Sequence, residues 1–162
     1  ARTEQERAEL WTARRSISPS LARRAPNKLG EDISVPRSAI PDAVAAIKEI
    51  SKRRDIPIAI FGHAGDGNLH PNVVYDRRDT DETRRVAKAS REIMAACVNA
   101  GGTITGEHGV GSDKRKYMPL VFSPLELDAL EGVRRVFDPQ GTCNPGKVIP
   151  DPPGSDAGGA TG

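Results

Sequence analysis

Three observations predict an α+β fold. Two apolar runs of strand length are joined by a short Gly-containing turn. Segments of helical period stand on either side of them. Short extended stretches precede and follow these helices. In chain order the middle of the protein reads β-α-β-β-α-β. That is the ferredoxin-like arrangement, an antiparallel sheet with helices on one face, here followed by a further C-terminal helix.

Each element has a local cause. Thr3 to Arg15 can form one helix, with Leu10 and Trp11 as its main apolar content. Residues 16–30, SISPSLARRAPNKLG, hold Pro19, Pro26 and Gly30 among several cations and read as a charged loop. Asp32 to Pro36 alternates as a short strand. Pro41 suits the first turn of a helix, and Val44, Ile47 and Ile50 then recur at helical spacing to about Arg54. Ile56 to Phe61 reads as a buried strand and Asn68 to Tyr75 as a second, with AGDG between His63 and Asn68 forming the hairpin turn. Asp79 and Glu82 have capping-box spacing at the start of a long helix. Val86, Ile93, Cys97 and Ala100 line one face of it, and Gly101-Gly102 stops it. Thr103 to Gly106 reads as a short strand. Ser123, Pro124 and Glu126 open the last helix, whose buried stripe is expected to be Leu127, Leu130, Val133 and Phe137.

Composition excludes several classes. The 162 residues hold 24 Lys and Arg against 22 Asp and Glu, a net charge of +2, and only 4% aromatics. This balance, with no basic run interleaved with aromatics, argues against a nucleic-acid binder. No stretch reaches the ~18 apolar residues of a membrane span. Two cysteines exclude a disulfide scaffold and a Cys-based zinc finger. The chain starts at Ala1 without an initiator Met and reads as part of a longer protein.

All three histidines lie in Gly-rich segments. In FGHAGDGNLHPN, a turn over Ala64–Gly67 sets His63 opposite Asn68. Strand alternation then puts His63, Asn68, His70 and Asn72 on one sheet face. In GGTITGEHGVG, a Glu-His pair follows a strand. A carboxylate with two imidazoles is a common zinc or manganese ligand set, which Glu107, His63 and His70 would supply. His108 then stays free for acid–base work. The competing interpretation is a hairpin and a loop with surface histidines.

The motifs GHAGDGNLHPNVVYD, GGTITGEHGVGSDK and FDPQGTCNPGKVIP, in this order, resemble the C-terminal part of FAD-linked oxidases of the vanillyl-alcohol oxidase superfamily. The resemblance runs from Trp11 to Pro150, to the D-lactate dehydrogenase, glycolate oxidase flavin subunit and D-2-hydroxyglutarate dehydrogenase type. It implies a cap, or substrate, domain whose FAD is bound mainly by a separate N-terminal domain. By this resemblance residues 1–30 are the N-terminal helix and loop of the cap, and 31–122 its sheet and helices. Residues 123–150 are the C-terminal helix and flavin-approaching segment, and 151–162 a disordered tail. It implies His63, His70 and Glu107 as ligands of zinc or manganese and His108 as catalytic base. Arg14, Ser18, Lys28 and Asn72 are implied at the substrate, and Asn144 near the flavin.

The implied reaction is oxidation of a small D-2-hydroxy acid to the 2-oxo acid, with hydride transfer to FAD. The chain alone is expected to be inactive. The implied partners are the hydroxy acid, an electron acceptor (quinone, cytochrome or electron-transfer protein) and a second copy or partner subunits. No nucleic acid is expected. The expected location is the cytoplasm, including the membrane periphery. The alternative is a metal- or small-molecule-binding module without redox activity.

Overall fold

A computed structural model of the chain describes residues 1–151. Helix α1 (Glu4–Ala22) starts at Thr3. The Thr3 hydroxyl accepts from the Glu6 N–H at 3.1 Å and the Glu6 carboxylate accepts from the Thr3 N–H. The helix continues through Pro19 to Ala22, where the composition suggested a loop. Pro19 removes one helical N–H, but Arg15, whose carbonyl loses that partner, is exposed to water. None of α1 is fully buried.

The last four residues of the expected loop form a strand. β1 (Asn27–Gly30) and β2 (Ile33–Ser34) lie along the same edge of β4 (Asn68–Tyr75), antiparallel to it. Asn27 pairs with Tyr75, Gly30 with Asn72, and Ile33 with Leu69. The register is unbroken across the gap at Glu31 and Asp32, which stand opposite Pro71 and His70. Pro71 has no N–H for a ladder bond, though its carbonyl accepts from the Glu31 N–H at 2.8 Å. β3 (Ile58–His63) takes the other edge of β4, from Ile58↔Val73 to His63↔Asn68. The stretch Thr103–Gly106 contributes one bridge, Thr103↔Ser34, outside β2. This is the expected ferredoxin-like order, with its last strand reduced to a single pair.

Helices α2 (Ile40–Arg54) and α3 (Thr80–Asn99) cover one face of the sheet. Pro41 sits in the first turn of α2 as expected. Asp79 caps α3 by accepting from the N–H groups of Asp81 and Glu82. Glu82 does not close the box and instead accepts from the Asp76 N–H at 2.8 Å. Ile47, Ile50, Ile93, Met94 and Cys97 pack from these helices onto Ile33 and Leu69.

β4 is buried along its whole length. Leu69, Val73 and Tyr75 join the apolar clusters. The alternate residues Asn68, His70 and Asn72 point to the opposite face, as the pleat requires.

Helix α4 (Pro124–Phe137) begins with the expected Ser123–Glu126 capping box. Its stripe is not buried. Leu127 reaches the core, but Val133 is 60% and Phe137 84% exposed, and Leu130 is also exposed. Among the described residues no other element packs on that side. The expected tail, Asp151 aside, lies outside the described residues. Among them, no helix is long and apolar enough to cross a membrane.

The two thiols differ. Cys97 is buried and directed at the Ser34 and Thr103 carbonyls at 3.3 and 3.2 Å. Burial pushes its thiol up to about 11. Cys143 is exposed. In the native full-length protein, iodoacetamide at neutral pH should label Cys143 and spare Cys97, as mapped by mass spectrometry. Equal labelling would contradict this packing.

Candidate functional site

The hairpin delivers the first two candidate ligands. Gly67, at φ 73°, closes the turn and sets His63 opposite Asn68. The His63 and His70 rings meet edge to face, with centroids 5.5 Å apart. His70 is buried and flanked across the sheet by Phe61 on one side and Asp32 on the other.

The Gly-rich loop after Thr103 brings the other two. Glu107 Oε1 lies 3.4 Å from His70 Nε2 and 3.6 Å from His108 Nε2. The His108 ring stacks on His70 at 5.5 Å with 14° between planes. Candidate donor atoms of His63, His70 and Glu107 all lie within 4.8 Å of one another. A second group, Asp32, His70 and His108, meets the same limit and shares His70.

Asp32, which no motif singled out, is fully buried. Its Oδ2 accepts from the Thr105 hydroxyl at 3.0 Å and from the N–H groups of Gly106, Glu107 and His108 at 2.9, 2.9 and 2.8 Å. Its Oδ1 accepts from Asn68 Nδ2 at 2.9 Å and faces His70 Nδ1 at 3.7 Å. Burial alone would raise its carboxyl pKa. The three backbone N–H groups and Asn68 outweigh that and hold it well below the usual carboxylate range. These commitments leave Asp32 poorly placed to serve as a ligand itself. Its only signal in the sequence is an acidic residue opening the alternating stretch Asp32 to Pro36.

For His70, burial lowers the pKa and the charges of Asp32 and Glu107 oppose that shift. The ring is thereby biased towards the neutral form that a metal requires. Buried Lys114 donates to the carbonyls of Asp32 and Ile104, joining β2 to the loop. Burial lowers its pKa against the opposing charges of Asp32 and Glu31.

Arg14 stands over the Phe61 ring, 5.1 Å from its centroid, so α1 lies beside the histidines. Lys28 donates to Ser18 at 3.0 Å, pinning the sheet edge to α1. Asn72 is buried and its Nδ2 donates to the His70 carbonyl at 2.8 Å. Its Oδ1 abuts Gly30, where a Cβ would stand 3.3 Å away.

Asn144 is not grouped with the histidines. It lies in the C-terminal turn at φ 48°, its carbonyl accepting from Arg134 at 2.9 Å. That turn is nevertheless tied to the loop of His108, since Val148 N–H donates to the Gly111 carbonyl at 2.9 Å. A cavity of about 720 Å³ lies between α4, Leu120–Ser123 and Pro145–Asp151, away from the histidines. Its charged lining is Asp128, Glu131, Arg134, Arg135 and Asp151, with no histidine among them.

Residues 1–148 match the family model for FAD linked oxidases, C-terminal domain. The chain is 47% identical over 149 residues to the glycolate oxidase subunit GlcD of Bacillus subtilis, covering 92% of this chain and 32% of that protein. It is 37% identical over 153 residues to the D-2-hydroxyglutarate dehydrogenase of Stutzerimonas stutzeri, with 92% and 32% covered. It is 34% identical over 151 residues to a probable mitochondrial D-lactate dehydrogenase of Danio rerio, with 92% and 30% covered. The chain thus spans under a third of the length of these relatives. It belongs to the FAD linked oxidase C-terminal domain family.

Proposed function

We propose that the chain is the substrate-side part of a flavin-linked dehydrogenase that oxidises a small D-2-hydroxy acid to the 2-oxo acid. The convergence of His63, His70 and Glu107 beside His108, on the face where Arg14 lies, carries this reading. The printed names of the relatives support the substrate class: glycolate, D-lactate and D-2-hydroxyglutarate.

The donor set fits a divalent metal such as zinc or manganese. Two imidazoles and a carboxylate suit both ions, and three protein ligands leave a coordination position open. His63, His70 and Glu107 would hold the ion, which supplies a Lewis acid for a substrate oxygen. FAD would be held mainly outside this chain, with Asn144 as the residue near it, and would supply the two-electron acceptor.

The chain's own residues bind, orient and move a proton. Arg14 holds the substrate carboxylate by charge-assisted hydrogen bonds, with Lys28 and Ser18 alongside. Asn72 presents Oδ1 towards the space left by Gly30. His108 takes the 2-hydroxyl proton at a ring nitrogen. An electron acceptor beyond the flavin completes turnover.

The test is elemental analysis of the full-length protein together with a panel of D-2-hydroxy acids and an artificial electron acceptor. One D-hydroxy acid should be oxidised, and about one zinc or manganese retained per chain. Retained metal without oxidation of any member would favour a binding module instead.

A further inference from the structure

Asp32 joins the two halves of the site. The hairpin with His63 and His70 and the loop with Glu107 and His108 are separate pieces of chain. One oxygen of Asp32 gathers the three consecutive N–H groups of Gly106, Glu107 and His108. The other takes Asn68 Nδ2 and faces the Nδ1 side of His70. With Nδ1 turned to Asp32, the Nε2 of His70 is the nitrogen that faces Glu107.

We propose that Asp32 is the positioning residue of this site, fixing the backbone of Glu107 and His108 while aiming Nε2 of His70 at Glu107. The inference rests on the reading of His63, His70 and Glu107 as metal ligands. A carboxylate set behind a ligating imidazole favours the tautomer with its proton on the nitrogen that faces the carboxylate, here Nδ1. Nε2 then keeps its lone pair for the ion.

A purely structural tie would need only the Oδ2 contacts to the loop. It would not require the second oxygen to face the imidazole. The unbroken register of β1 and β2 on β4 places Asp32 opposite His70, so the contact is built into the sheet.

The test uses the full-length protein, stripped of metal and titrated with zinc against a chelator. Asp32→Asn should weaken zinc binding by about 10–100-fold, as loss of such a partner typically does. His63→Ala, which removes a direct ligand, should weaken it at least as much. Wild-type binding that Asp32→Asn leaves unchanged while His63→Ala abolishes it overturns the role of Asp32 alone. A wild-type protein that binds no zinc overturns the ligand reading, and this inference with it. A second measurement does not depend on the variant folding. Ring ¹⁵N shifts of His70 in the metal-free wild type should report the proton on Nδ1, and the Nε2–H tautomer there overturns the proposal.

Discussion

Replacing His108 by alanine in the full-length protein should lower kcat by about 10²–10⁴-fold, the usual contribution of a general base. FAD and metal contents should stay at wild-type levels. The expectation follows from how His108 is held. Its side chain is exposed and stacks on His70, while its backbone N–H is fixed by Asp32. Truncation at Cβ therefore removes the imidazole and leaves the backbone anchor intact. Steady-state kinetics with the best hydroxy acid and an artificial acceptor would measure the loss. Near-wild-type turnover would remove His108 from the reaction. A matching fall in metal content would instead assign it as a ligand, as the grouping with Asp32 and His70 allows.

The second large effect should come from Gly67→Ala. Gly67 ends the hairpin turn at φ 73°, a conformation that costs an L residue about 1 kcal/mol or more. It also passes directly against the backbone of Val35. A Cβ there would fall inside contact distance of the Val35 carbonyl oxygen, and the Val35 N–H already donates to the Gly67 carbonyl at 3.0 Å. Backbone cannot swing aside as a flexible side chain can. The two effects together should cost about 3 kcal/mol or more, seen as a lower melting temperature and weaker metal retention. Gly65→Ala is the control. Gly65 has open space around it and no positive φ, so the change should stay within about 0.5 kcal/mol. Equal behaviour of the two variants would mean the hairpin is not seated on Val35.

The parts of this protein legible in its sequence are those decided locally. The four-residue turn with its glycines fixed the His63–Asn68 pairing, and pleat alternation then fixed the common face of Asn68, His70 and Asn72. Caps at Ser123 and Asp79 marked helix starts because their partners lie within three residues. What depends on distant chain was not legible. NKLG has no strand signature of its own and is a strand because β4 offers an edge to it. Pro19 stays inside α1 because that helix is at the surface. The apolar period of α4 is legible, but its expected burial is not met beyond Leu127, because periodicity does not say what covers a stripe. Asp32 is the clearest case, because its loop partners lie 73 to 76 residues away. Only the sheet register reveals that it faces His70.

The span between Asp32 and His108 also sets an order of events. His63 and His70 share one hairpin, and such hairpins close in about 1–10 μs. Glu107 and His108 join them only after the chain has looped back across α2, the hairpin and α3, 75 and 76 residues from their anchor. Closing so long a segment has to be repaid by the packing of the whole domain, because local contacts alone do not offset its entropy. Two imidazoles are therefore available to an ion early in folding, and the carboxylate arrives with the finished domain. Tight retention of the ion would then report completed folding of this part of the protein.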